Sequence, residues 1–122
     1  MQSRPDERRR YARVPFDGPV RAEQIQQPTR NHSRIWNLVP ADLSEGGVRL
    51  SSSELFPVES RLLLELDTEL GEDPIRAHGR VVWVAQVPFQ DQWQVGVAFF
   101  DVTESRRSRL RAIVNAQQAA NN

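Results

Sequence analysis

Two long stretches in the second half of the chain alternate apolar and polar residues, and this pattern most constrains the fold. They are "IRAHGRVVWVAQV" (75–87) and "WQVGVAFFDV" (93–102), separated by the loop "PFQDQ". Both are rich in β-branched and aromatic residues, which favour strands. A period of two places successive side chains on opposite faces of a sheet. The sequence therefore predicts a pair of long strands with one face in the core.

Four shorter segments upstream also read as strands. Each lies between clusters of Pro, Gly, Asn or Ser that mark turns. The segment at 61–70 has leucines at period two, but its Leu and Glu content could also support a turn or two of helix. The four predicted strands are 19–26, 34–40, 48–52 and 61–70.

From Thr103 the pattern changes to the period of a helix. Leu110, Ile113 and Val114 recur at helical spacing, Thr103 is a candidate N-cap, and Glu104 lies in the first turn, where the helix dipole favours an acid. Six strands followed by one amphipathic helix predict a small barrel or sandwich whose open edge or end the helix closes.

The length of the chain, 122 residues, favours one domain. We expect a flexible arm over residues 1–8, a single domain over 9–115 and a short polar tail over 116–122. The longest apolar runs are far below the roughly 18 residues of a membrane span, so no membrane insertion is expected. The first residues lack the apolar segment of a secretory signal, which predicts a cytoplasmic protein. The absence of cysteine excludes disulfides and thiolate chemistry.

The charges balance overall but are unevenly distributed. The formal net charge is zero; residues 1–34 hold eight arginines against four acids, whereas residues 42–75 hold nine acids against two arginines. Nucleic-acid binders usually carry a basic excess over the whole domain, so this balance argues against nucleic acid as a partner. All sixteen basic residues are arginine. Genomic codon bias can explain that total, so only the arrangement of particular arginines carries an argument.

No pattern typical of a catalytic or metal site is present. His32 and His78 have no second ligand at the spacing of a zinc site, so neither a metal nor a cofactor is expected. The serines lack the sequence context of a nucleophile, and no Gly-rich loop opens a helix. Paired acids such as Asp67 and Glu69 are explained by a solvated strand edge. The sequence therefore predicts a protein that is not an enzyme.

Two short motifs stand out ahead of the strand-rich body. Arg9 and Arg13 have the spacing RxxxR, and Asp42, Ser44 and Gly47 have the spacing DxSxxG. Each motif has a simple structural explanation when taken alone. The arginines could form a solvated basic arm. The second motif could be a turn in which Asp and Ser side chains bond to the backbone and glycine supplies positive φ.

Taken together, in this order, the two motifs resemble those of the PilZ domain. The stretches "GRVVWV" (79–84) and "VGVAFF" (95–100) are similar to the late strand pair of that family, and a terminal helix follows. The resemblance covers about residues 7–115. It implies a mainly β fold, a six-stranded antiparallel β-barrel with a C-terminal α-helix. It also implies a bacterial receptor that binds the second messenger cyclic di-GMP.

The resemblance also assigns the ligand-binding residues. A guanidinium can bind a phosphate or the O6 and N7 atoms of guanine through two parallel hydrogen bonds. A carboxylate accepts from the N1–H and N2–H donors of guanine, and a hydroxyl can donate or accept. Glu45, beside the site, is expected to face solvent, because a carboxylate directed at phosphates would weaken binding. The residues expected to bind cyclic di-GMP are Arg8, Arg9, Arg13, Asp42, Ser44 and Gly47.

Alternatives from other classes remain open at this point. The favoured reading is a receptor that changes shape or partner contacts on binding cyclic di-GMP and so signals to a downstream protein of unknown identity. The alternative is a protein-interaction module of the same fold that works without ligand. A nucleic-acid binder using the basic arm would show strongly salt-dependent binding, and the zero net charge disfavours it. The three tryptophans, at 36, 83 and 93, are the candidate anchors of a hydrophobic contact surface if one exists, but packing in the barrel more often explains aromatic residues on strands.

Overall fold

The structure, a computed structural model, describes residues 11–25, 35–67 and 73–120. Within these ranges the backbone forms strands and a terminal helix. In chain order they are β1 (Val14–Pro15), β2 (Val20–Gln24), β3 (Ile35–Leu43), β4 (Gly47–Ser52), β5 (Arg61–Leu66), β6 (Ile75–Gln86), β7 (Trp93–Phe100) and α1 (Glu104–Ala120).

Strands β2 to β7 form a closed antiparallel barrel. The order around it is β2-β5-β6-β7-β4-β3, and it closes because β3 pairs with both β4 and β2. The expected six-stranded barrel followed by a helix is confirmed. Strand β1 is an addition that the sequence did not predict, since two residues are too few for a periodic pattern. It pairs with the end of β3, with Val14 opposite Leu43 and Pro15 opposite Asp42.

The core follows from the alternation along each strand. In β5, Leu62, Leu64 and Leu66 are completely buried, whereas Arg61 on the other face is exposed. Burying such a side chain contributes roughly 1.5–3 kcal/mol to the free energy of unfolding. The segment is thus a strand, and its helical reading is excluded for residues 61–66. Residues 68–70 of the predicted strand lie outside the described residues.

The pairing of β6 with β7 is interrupted by a β-bulge. Val81 lies opposite Val97 and Trp83 lies opposite Gly96, so Val82 is an extra residue in β6. A bulge breaks the alternation of side chains and often occurs beside a functional site. Here two successive large residues, Val82 and Trp83, are both 38% exposed. The bulge therefore presents an indole on the outer surface of the barrel.

Helix α1 begins after a hydrogen-bonded N-cap and packs on the barrel. The backbone N–H of Arg106 donates to Oγ1 of Thr103 at 3.2 Å, as the sequence predicted. Leu110 and Val114 are buried, and Gln117 Nε2 donates to the carbonyl of Pro15 in β1 at 3.1 Å. The helix continues to Ala120, so residues 116–120 of the predicted polar tail are helical. No helix in the described ranges is long and apolar enough to cross a membrane.

Substitution of Thr103 by alanine is expected to lower the free energy of unfolding by about 1 kcal/mol, because the N–H of Arg106 loses its acceptor. Urea denaturation of wild type and variant measures this difference. Thr103→Ser keeps the hydroxyl and should retain most of the stability. An alanine variant as stable as the serine variant would contradict the capping role.

Candidate functional site

A cleft of about 260 Å³ lies on the outer surface of the barrel, where β4 meets β7. Four parts of the chain that are distant in sequence contribute to it. Its lining residues are Tyr11 and Arg13 ahead of β1, Ser44, Gly46, Gly47 and Val48 of the β3–β4 turn and the start of β4, Val82 and Trp83 of the β6 bulge, and Gly96, Val97 and Ala98 of β7.

Ser44 shapes the turn between β3 and β4. Its hydroxyl accepts a hydrogen bond from the N–H of Gly46 at 3.1 Å, and its own N–H donates to the carbonyl of Gly47 at 2.8 Å. The side chain is buried. The predicted bond from the Ser44 side chain to the backbone is therefore confirmed. A contact between the hydroxyl and a ligand remains a prediction.

The glycines of the turn are required for close packing and not for their dihedral angles. The prediction of positive φ is wrong, since neither Gly46 nor Gly47 adopts it. A Cβ added to Gly47 would lie 2.2 Å from the carbonyl oxygen of Val97 in β7. One added to Gly46 would lie 2.9 Å from the ring of Tyr11. The lack of side chains lets β7 and Tyr11 approach the turn closely.

Asp42 is held between two arginines, one of which, Arg13, lines the cleft. Its Oδ1 atom lies 2.6 Å from Nη1 of Arg13, and its Oδ2 atom lies 2.7 Å from Nη2 of Arg49. The side chain of Asp42 is 16% exposed and that of each arginine is 38% exposed. The structural explanation of the motif had Asp42 bonding to the turn backbone, but its carboxylate bonds to the side chains of Arg13 and Arg49. The three groups carry one net positive charge, which suits an anionic ligand.

Arg49 was not predicted as a site residue, although the sequence contains a signal for it. Asp42 and Arg49 flank the β3–β4 turn and lie opposite each other in the strand register. Residues directly opposite in an antiparallel pair lie on the same face with their Cβ atoms about 4.5–5.5 Å apart. An acid and an arginine placed symmetrically about a hairpin turn could therefore have been recognised as a pair.

The structure brings together four of the six predicted site residues. Strand β1 places Arg13 beside Asp42, because Pro15 pairs with Asp42. Ser44 and Gly47 line the same cleft. The other two, Arg8 and Arg9, lie outside the described residues.

Glu45 does not face solvent as predicted. Its Oε2 atom lies 2.6 Å from Nε of Arg111 in α1, and its side chain is 13% exposed. The hydrogen bond and the charge of this carboxylate raise the pKa of the Arg111 guanidinium above its usual value. The charge of Glu45 is thus balanced by Arg111, and Glu45 does not line the cleft.

Aromatic residues form part of the cleft wall, and the sequence did not single them out for this role. Trp36 and Trp93 pack against the core, as predicted. The same prediction is wrong for Trp83, whose side chain lies on the outer surface. The indole of Trp83 lies against the backbone of Gly96, where an added Cβ would meet Nε1 at 2.1 Å. Tyr11 contributes a second ring. The result is an aromatic surface beside a charged rim.

Among the described residues, no group of three or more His, Cys, Asp or Glu side chains could hold a metal ion. The functional groups of the cleft are guanidinium, hydroxyl and aromatic rings, and the carboxylate of Asp42 pairs with the guanidinium. Such groups bind anions and planar heterocycles through hydrogen bonds and stacking.

The profile of the PilZ domain matches residues 7–116, nearly the whole chain. The chain belongs to the PilZ family. No curated protein sequence matches this PilZ chain closely enough to count as a relative.

Solved structures of PilZ proteins share the fold. The PilZ domain of YcgR from Escherichia coli, solved with c-di-GMP, has a TM-score of 0.64 and 16% identity, over 93% of this chain and 94% of that one. The inhibitor of motility MotI from Bacillus subtilis has a TM-score of 0.73 and 15% identity, over 98% of this chain and 53% of that one. MrkH from K. pneumonia, solved in a complex with c-di-GMP, has a TM-score of 0.67 and 14% identity, over 93% of this chain and 52% of that one. This PilZ chain therefore spans about half the length of MotI and MrkH.

Proposed function

We propose that this PilZ domain is a receptor for cyclic di-GMP that binds the ligand in the cleft beside Asp42. The observation that carries the proposal is the pairing of Asp42 with Arg13, which lines a cleft with an aromatic wall. These groups match the chemistry of guanine. An arginine donates to O6 and N7, a carboxylate accepts from N1–H and N2–H, and an indole stacks on the ring.

Ligand binding requires Arg13 to exchange one anionic partner for another. The pair with Asp42 is partly exposed, and such pairs contribute roughly 0–1 kcal/mol. A charge-assisted hydrogen bond to a ligand contributes roughly 1.5–3 kcal/mol. The exchange is therefore favourable for Arg13.

The floor of the cleft is suited to a flat ring. Gly47 and Ala98 lie opposite each other on β4 and β7 and have little or no side chain. Backbone without side chains allows a heterocycle to approach closely. Trp83 forms the wall above Gly96. A base lying on this floor would contact the indole while its edge faces Asp42.

Arg8 and Arg9 complete the proposed site. Four residues span at most about 14 Å of chain, so Arg9 is tethered within that distance of Arg13. We expect these arginines to bind the phosphates of the ligand. Cyclic di-GMP would then hold the arm against the barrel and change the surface offered to a downstream protein. Backbone hydrogen exchange at residues 7–13 should slow on binding, and exchange that is unchanged by ligand would contradict this mode of signalling.

Isothermal titration with cyclic di-GMP tests the receptor function, with GTP as the control ligand. Binding that is micromolar or tighter to cyclic di-GMP, and much weaker to GTP, supports the proposal. An absence of heat, together with an absence of competition at high ligand concentration, would favour a PilZ-fold interaction module that works without ligand.

Tryptophan fluorescence provides a second test, because one of the three indoles lines the cleft. Trp36 and Trp93 pack against the core, so the change in emission on adding cyclic di-GMP should come from Trp83. Trp83→Phe should abolish this change while lowering affinity less than about tenfold, since phenylalanine can still stack. Trp93→Phe is the control and should retain the change. A signal that persists in Trp83→Phe would place the base elsewhere.

A further inference from the structure

Arg49 is fixed in the barrel wall by contacts to two neighbouring strands. It lies in β4, its Nη2 atom is 2.7 Å from Oδ2 of Asp42 in β3, and its Nη1 donates to Oε1 of Gln94 in β7 at 3.2 Å. The guanidinium therefore spans three adjacent strands. Both ends of the planar fork have an acceptor, which fixes its orientation.

Arg13, the other arginine on Asp42, is held less firmly. It precedes the two-residue strand β1, and within the described ranges its side chain has Asp42 as its only hydrogen-bond or ion-pair partner. The two arginines also bind different oxygens of the same carboxylate. Departure of Arg13 would expose Oδ1 and leave Oδ2 engaged.

We propose that Arg49 is a positioning residue for cyclic di-GMP, an inference that rests on the proposed receptor function. When Arg13 moves from Asp42 to the ligand, Arg49 holds the carboxylate in place through Oδ2, with Oδ1 directed at the guanine donors. Without Arg49, Arg13 would be the only cation on Asp42, and the ligand would have to compete with that carboxylate for Arg13.

Two effects follow from this role. Affinity falls, because Arg13 is less available and the carboxylate is less well oriented. Base discrimination also falls, because Asp42 accepts from the N1–H of guanine, whereas N1 of adenine is itself an acceptor. Replacement of a residue that only stabilised the barrel would leave the discrimination between guanine and adenine unchanged. That discrimination would still depend on Asp42 as it does in the wild type.

Arg21 offers a matched control for the loss of an ion pair. It lies opposite Glu65 in the register of β2 and β5, and its Nη2 atom is 2.7 Å from Oε1 of that residue. The arrangement repeats that of Arg49 and Asp42. Asp42 pairs with Arg13, which lines the cleft, whereas Glu65 pairs with Arg21 and Arg76, which do not.

The experiment is titration of cyclic di-GMP and cyclic di-AMP into the wild type and the variants R49Q, R49K, R21Q, D42N and R49Q/D42N, with thermal melts of each. We expect R49Q to bind cyclic di-GMP about tenfold more weakly, with discrimination reduced by a similar factor, and R21Q to stay within about twofold of wild type. R49K should be intermediate, because lysine keeps the charge without the fork. The double variant should bind like D42N alone.

Several results would overturn the inference. Equal affinities of R49Q and R21Q for cyclic di-GMP would do so. A loss of affinity in R49Q/D42N equal to the sum of the two single losses, in free energy, would do so as well. If R49Q fails to fold, R49K carries the test, and wild-type discrimination in R49K would count against the role. A wild type that does not bind cyclic di-GMP refutes the proposed function and this inference with it, whereas a wild type that binds while R49Q and R49K are unaffected refutes the inference alone.

Discussion

Replacement of Gly47 by alanine is expected to lower the free energy of unfolding by about 3 kcal/mol and to prevent ligand binding. The added Cβ would lie 2.2 Å from the carbonyl oxygen of Val97. That carbonyl belongs to backbone that pairs with β4, so it cannot move away without disturbing the ladder that closes the barrel. Overpacking of this kind costs roughly 1–3 kcal/mol, and more where backbone must shift. Urea denaturation and titration with cyclic di-GMP measure the two effects.

Gly46→Ala is the matched control for this prediction. Its Cβ would meet the side-chain ring of Tyr11 at 2.9 Å, and Tyr11 is exposed enough for the ring to turn aside. We expect Gly46→Ala to cost less than about 1 kcal/mol. Equal stability of the two variants would show that the approach of β7 to Gly47 has no structural role.

Arg13→Ala is expected to weaken binding of cyclic di-GMP by about 10- to 150-fold, because one charge-assisted hydrogen bond of roughly 1.5–3 kcal/mol is lost. Its stability should change little. The ion pair with Asp42 is partly exposed and contributes at most about 1 kcal/mol, and Asp42 keeps Arg49 as a partner. Isothermal titration of this variant should therefore show a large loss of affinity, whereas its thermal melt should show little change in stability.

Arg21→Ala separates the binding effect of Arg13 from a general loss of positive charge. It also removes a partly exposed arginine from an ion pair, but on a surface away from the cleft. Affinity should stay within about twofold of wild type. A similar loss of affinity in both variants would point to long-range electrostatics and not to a contact by Arg13.

The sequence was sufficient for the parts of the fold that depend on local periodicity. Strands β6 and β7 alternate strongly, the leucines of β5 recur at period two, and Thr103 marks the start of α1, so these elements were predictable. Of the site, Arg13, Asp42, Ser44 and Gly47 came from motif spacing. The structure places Arg13, Ser44 and Gly47 at one cleft and pairs Asp42 with Arg13.

The remaining features depend on how strands are aligned in space. The bulge at Val82 adds one residue to β6, and no local pattern announces it, so the exposure of Trp83 could not be predicted. The pairing of Glu45 with Arg111 joins residues 66 positions apart and depends on where α1 packs. The need for glycine at 47 likewise comes from a neighbouring strand and not from the turn itself.

The cleft exists only when β4 has paired with β7, because its lining comes from parts of the chain that the closed barrel brings together. The unfolded chain therefore contains no binding site, and a ligand of this cleft binds the native state alone. Such a ligand stabilises the fold by about 2.7 kcal/mol when its free concentration is one hundred times its Kd. Proteases act on opened chains, so the concentration of such a ligand would also affect how long each molecule of this protein survives in the cell.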